Sequence, residues 1–306
     1  MRNISIGLLI NFLFLMTGSS QENLINPFYK QANFFNSSFE EDLFTSLQSK
    51  NPIDSSNLYL TFSNDPKVLQ KKLQELIFKI SDELEGKRHK NEMAYLRQIF
   101  LQIHKQYLKK YQRYSTFERV LLDGSYDCLT GTVLYAMVLR ELGFPVEIHE
   151  TGVHCYLKTY ANQTPVLFES TDPLNGFITE PDIIKEREKK YAHDLPSNPN
   201  TLQGLAGFKS TTAASSVSSY SRLIGLKELA GLHYYNQAVI SYVIKDYKGA
   251  VNILEKSFSL YSSDRIYNLL VQCIGHVFEN PDLSEYEKKL YKGKINFYSK
   301  DLLNRG

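Results

Sequence analysis

Residues 127–142 form a helix-length run that is apolar on nearly every side: Leu129, Val133, Leu134, Ala136, Met137, Val138, Leu139 and Leu142 leave no polar face for solvent. A helix hydrophobic all round has to be buried, so other elements must enclose this one. Its ends are marked. Asp127 is a good N-cap, Gly143 supplies a left-handed stop, and Pro145 prevents continuation. Cys128 therefore falls at the first helical position, where free amides and the positive end of the helix dipole favour a thiolate. Thr130, Gly131 and Thr132 are small and let other backbone approach this first turn.

The flanking sequence predicts what encloses the helix. Asp65 caps and Pro66 starts a helix with Leu69, Leu73, Leu76, Ile77, Ile80 and Leu84 at helical spacing, ending at Gly86. A second begins near Asn91, with Leu96, Ile99, Phe100, Ile103 and Tyr107 on one stripe. Strands are expected at 146–151, 153–160 and 165–171, the last two joined by the turn Ala161-Asn162-Gln163-Thr164. Helices followed by a small antiparallel sheet make the fold class α+β. Residues 21–64 read as a lead-in segment with one short helix, 65–194 as the main domain, and 195–221, rich in Ser, Thr, Asn and Gly, as a loop or linker. From 222 to 306 the pattern is helical.

The N-terminus carries the parts of a cleavable secretory signal over 1–20: Arg2, an apolar run from Ile4 to Met16, then Thr17-Gly18-Ser19-Ser20. The run is too short to span a bilayer comfortably. The expectation is an exported protein, periplasmic or extracellular, with no stable membrane span after cleavage; an uncleaved anchor is the alternative. Cys128, Cys155 and Cys273 are the cysteines, an odd number that leaves at least one thiol free or bonded to another molecule. A net charge of +2 with interspersed acids and bases argues against a nucleic-acid partner. Cys128, His154 and Asp172 lack the spacing of a usual zinc site, and no cofactor is implied.

A thiol at a helix start acquires chemistry when a His and a carboxylate join it. His154 lies on the predicted strand 153–160; alternation puts it on one face with Tyr156 and Lys158, and Cys155 on the other. His149 is the competing base. Asp172, where the third strand should end, can accept the second imidazole N–H and orient the ring; Glu169 and Glu150 are the alternative acids, and Asp172-Pro173 also suits a turn.

In this order and at these spacings, Tyr126 to Phe177 resembles the transglutaminase-like core, a branch of the papain-like cysteine-enzyme fold, over roughly 90–182. The resemblance implies a nucleophile at Cys128, a base and acid at His154, an orienting acid at Asp172, and a peptide or protein substrate. The chain holds no Trp, and Leu122 stands six residues before Cys128, where papain relatives carry the oxyanion-hole Gln. The Cys128 backbone N–H and another donor must serve; Tyr126 is the candidate. Further on, Ala238, Tyr247, Ala250 and Leu254 resemble a tetratricopeptide helix pair, with Ser257 and Ser262 departing from it, which implies a protein partner at the helical C-terminal region. The expected function is cysteine-dependent acyl transfer (protease, amidase or transglutaminase-like) through a thioester. The alternative is a catalytically silent scaffold or binding module acting through the helical region.

Overall fold

The protein is described by a computed structural model covering residues 27–30, 34–49, 51–84, 91–152, 154–193 and 221–305. The expected signal segment, and the expected loop apart from its last residue, lie outside the described residues.

Side-chain caps start the early helices. Ser37 accepts the Glu40 N–H to open α1 (Ser38–Gln48), Asp65 accepts that of Val68 to open α2 (Pro66–Glu83), and Asn91 that of Ala94 to open α3 (Glu92–Gln106). Next come β1 (Lys110–Tyr111), α4 (Phe117–Leu122) and β2 (Ser125–Tyr126), β1 and β2 pairing in parallel. The apolar run is α5 (Cys128–Glu141); from Leu129 to Val138 it is buried without interruption, and Gly143 follows at φ 75°.

Then follow β3 (Glu147–Glu150), β4 (Cys155–Ala161), β5 (Thr164–Phe168), β6 (Phe177–Ile178), α6 (Pro181–His193) and β7 (Arg222–Ile224). The antiparallel sheet has the order β6-β5-β4-β3-β7. The mixed helical and antiparallel architecture fits the expected α+β class. In the β4–β5 turn, Asn162 and Gln163 take positive φ values of 48° and 69°, the backbone of a tight hairpin.

Register assigns the faces. Ile148, Leu157 and Phe168 are cross-strand partners and join the main core with α5. Tyr156, Leu167 and Ile178 point the other way, against Ile184 and Tyr191 of α6. The sheet is thus covered by α5 on one side and α6 on the other.

The C-terminal helices are α7 (Leu226–Val243), α8 (Tyr247–Leu260), α9 (Asp264–Phe278) and α10 (Glu285–Arg305). Two expectations need correction. Residues 222–224 are a strand completing the sheet, so the helical region is joined to the main domain by backbone pairing. The lead-in segment is part of the core: Phe44, Leu58, Tyr59 and Leu60 are buried, and the Tyr59 hydroxyl donates to the Leu226 carbonyl at 2.6 Å. One apolar core runs through all these parts.

Buried charges tie them further. Lys256 of α8 meets Glu40 of α1 at 2.8 Å, with side chains 1% and 0% exposed. Glu40 also receives the Asn36 N–H at 2.7 Å and lies 2.7 Å from the Tyr234 hydroxyl. Among the described residues no helix is long and apolar enough to cross a membrane.

Breaking a buried pair from one side strands the other charge, whereas replacing both partners with apolar groups is often neutral. Lys256→Met is therefore expected to lower unfolding free energy by about 3–5 kcal/mol in urea titrations. Adding Glu40→Leu should recover much of that loss.

Candidate active site

Three elements meet at the amino end of α5. Asp127, buried, accepts the Thr130 N–H and hydroxyl, each at 2.8 Å, and donates its own N–H back to Thr130 Oγ1 at 2.9 Å. This capping box fixes the first turn and holds Cys128, half-buried, at its rim. His154 stands in the turn before β4, closed by the Thr151 N–H to the His154 carbonyl at 2.8 Å and the His154 N–H to Thr151 Oγ1 at 3.1 Å. Glu169 follows the last residue of β5.

These side chains converge. The Cys128 thiol and the His154 imidazole are neighbours, close enough for each to shift the charge of the other. His154 Nε2 lies 2.7 Å from Glu169 Oε2, which leaves Nδ1 for the thiol. Glu169 is saturated: Oε2 also accepts the Tyr191 hydroxyl at 2.6 Å, and Oε1 accepts the Thr171 N–H at 2.9 Å and hydroxyl at 2.6 Å.

The contacts decide the charges. Burial pushes the Glu169 carboxyl up, but hydrogen bonds from His154, Thr171 and Tyr191 prevail and hold it at about 2. Burial works against a charged His154, yet contact with Cys128 and Glu169 raises it to about 10. The Cys128 thiol is held well below its ordinary range, first by contact with Cys155 and then, against burial, by His154. Both shifts favour the thiolate–imidazolium form of the pair. Burial, with the Cys128 charge beside it, pushes Asp127 up to about 7.

Against the sequence expectations, Cys128 and His154 are brought together, but Asp172 is not their partner. Asp172 accepts the Asn175 N–H at 2.9 Å and meets Arg187 at 3.2 Å, anchoring the turn that its Asp-Pro pair suggested. The strand ends at Phe168, not at Thr171, so the strand-end acid is Glu169. Glu150 receives the Tyr261 hydroxyl at 2.5 Å and meets Arg265 at 3.2 Å. His149, the competing base, stacks on Tyr156 on the α6 side of the sheet.

Cys155 also requires correction. It faces α5, as alternation demands, bonding there to Thr132, but Cys128 opens the same turn of α5 and the two thiols feel one another's charge. Alternation holds only within the strand, and His154 precedes it. Tyr126 is buried, its ring against the backbone of Gly131 and edge-on to His104 and Tyr111; no hydrogen bond joins it to Cys128 among the described residues.

Three supports were missed. Tyr191 holds Glu169 and packs on the His154 ring with centroids 4.8 Å apart. His104, neutral because burial lowers its pKa, bonds through Nε2 to the Ser170 carbonyl at 3.0 Å and through Nδ1 to the Tyr135 hydroxyl. Ser170 donates to the Cys128 carbonyl at 3.2 Å, joining α5 to the Glu169 segment. At Gly131 a Cβ would stand 2.7 Å from that of Ser170, so only glycine permits this approach. Gly131 among small residues was the visible signal; nothing pointed to Tyr191. Among the described residues no cluster could hold a metal ion.

Iodoacetamide kinetics at pH 6 separate the two acids. Glu169→Ala is expected to slow Cys128 alkylation severalfold, because the imidazolium loses its counter-charge, while Asp172→Ala leaves it unchanged. Tyr191→Phe should cost about 1.5–3 kcal/mol of stability, the range for a hydrogen bond to a charged group.

Comparison with protein-family models, with curated protein sequences and with solved structures finds no match to this chain.

Proposed function

We propose that the chain is an exported cysteine-dependent acyl-transfer enzyme built on a transglutaminase-like, papain-like core, with Cys128, His154 and Glu169 as its triad. The observation that carries this reading is a thiol at a helix amino end, beside an imidazole that is itself hydrogen-bonded to a buried carboxylate. Thiolate–imidazolium pairing turns a weak nucleophile into one that works at neutral pH.

In the proposed cycle the Cys128 thiolate attacks the carbonyl carbon of an amide or ester in a peptide or protein. The tetrahedral oxyanion collapses to a thioester as His154 donates its proton to the leaving amine or alcohol. Water or a second amine then gives up a proton to His154, attacks the thioester and returns Cys128 as thiolate. Glu169 holds the ring orientation and its positive charge throughout.

The oxyanion needs donors. The Cys128 N–H, at the first position of α5, makes no backbone hydrogen bond among the described residues. Tyr114 suits the second role better than Tyr126. It sits at φ 60°, a conformation rare for an aromatic residue, its buried hydroxyl has no partner among the described residues, and it feels the Cys128 charge. Buried unpaired hydroxyls and backbone outliers gather at functional sites.

Iodoacetamide labelling tests the reading. Alkylation of Cys128 is expected to be fast below pH 7 and nearly flat to pH 8, with His154→Ala restoring the slow, base-dependent profile of an ordinary thiol. Slow alkylation at every pH would sink the enzyme reading and favour the silent scaffold. With p-nitrophenyl acetate as probe, Tyr114→Phe should lower acylation about 10- to 1,000-fold, the scale of an oxyanion donor, and leave the alkylation profile untouched.

A further inference from the structure

The second thiol has no part in that cycle. Cys155 is 3% exposed, at the first residue of β4. Its Sγ donates to Thr132 Oγ1 at 3.9 Å, and its carbonyl accepts the Thr132 hydroxyl at 3.4 Å. Thr132 lies one helical turn beyond Cys128 on the same face of α5. These bonds hold Cys155 against the first turn of α5, the turn that Cys128 opens, and near enough for its thiol to feel the Cys128 charge. Both cysteines are free thiols.

We propose that Cys128 and Cys155 form a site of reversible oxidation by hydroperoxides, Cys128 as the reacting thiol and Cys155 as the resolving one, so that a disulfide shuts the site. The inference rests on the thiolate reading of Cys128 above. Cys128 is half-buried and hydrogen peroxide is small, so Cys128 is the thiol assigned to meet it; Cys155, buried, needs no access, since its step is internal.

The chemistry balances. The Cys128 thiolate attacks one peroxide oxygen, the O–O bond breaks, and the departing oxygen takes a proton from the His154 imidazolium. Sulfur is oxidised by two electrons to the sulfenic acid and the peroxide is reduced to water or an alcohol. Cys155 sulfur then attacks the Cys128 sulfur; the S–O bond breaks, and hydroxide leaves with the Cys155 proton as water. The order follows from the environment. While Cys128 is a thiolate, its contact and charge, with burial, hold the Cys155 proton in place. Sulfenic acid is neutral, so the first step removes that restraint. The disulfide consumes the nucleophile, and a dithiol reductant restores it.

The test treats reduced, reductant-free protein with hydrogen peroxide and maps its peptides without reduction. The expected product joins the Cys128 and Cys155 peptides with loss of two hydrogens, and dithiothreitol returns Cys128 to iodoacetamide labelling. In Cys155→Ser, Cys128 is expected to pass on to sulfinic and sulfonic acids, with labelling lost and not recovered. Oxidised Cys128 beside a free Cys155 thiol in the unaltered protein, a result independent of how any variant folds, would overturn the proposal. So would full dithiothreitol recovery in Cys155→Ser. Low-pH alkylation without a disulfide defeats the pair and spares the enzyme reading; a disulfide with an ordinary, base-dependent alkylation profile defeats that reading and, with it, the thiolate-first order proposed here.

Discussion

The Glu169 carboxylate organises this end of the molecule. Its side chain is 2% exposed, and an ion taken out of water must be surrounded by donors or it costs several kcal/mol. It is surrounded: His154 and Tyr191 use one oxygen, the Thr171 amide and hydroxyl the other. Each donor commits its element. His154 brings the β3–β4 turn, Tyr191 brings α6 across the outer face of the sheet, and Thr171 fixes the chain leaving β5. A carboxylate so held stays ionised, and an ionised carboxylate keeps the neighbouring imidazole charged and oriented.

The thiol is fixed from the other direction. Because α5 is apolar all round, the sheet covers one side of it while α7 and the amino-terminal segment pack elsewhere on the same core. Its buried polar end is the first turn, where Asp127 and Thr130 satisfy each other and Cys128 is left at the rim. Gly131 lets Ser170 approach, and the Ser170 hydroxyl on the Cys128 carbonyl ties thiol and carboxylate segments together. His104, a buried neutral ring between Tyr135 and Ser170, braces that tie.

What could be read from the residues follows the reach of periodicity. The α5 boundaries, the Asp65 and Asn91 caps, the β4–β5 hairpin and the meeting of Cys128 with His154 were legible, because apolar pattern and capping chemistry are local. Strand ends were not. Phe168, Glu169, Ser170 and Thr171 read equally well as strand, and ending it three residues late moved the orienting acid from Glu169 to Asp172. Alternation carried back to His154 sets Cys155 apart from Cys128, but His154 stands in a turn, outside the reach of that pattern. The strand Arg222–Ile224 and the Tyr191 contact depend on partners far away in sequence, which no local pattern encodes.

The most direct measurement is the protonation state of His154 by nitrogen-edited NMR of the imidazole. Both ring nitrogens should stay protonated well above pH 7, losing a proton near pH 10 as contact with Cys128 and Glu169 requires, and Cys128→Ala should lower that midpoint. A neutral His154 ring at pH 7 that titrates in the ordinary histidine range, unmoved by Cys128→Ala, would contradict the thiolate–imidazolium pair.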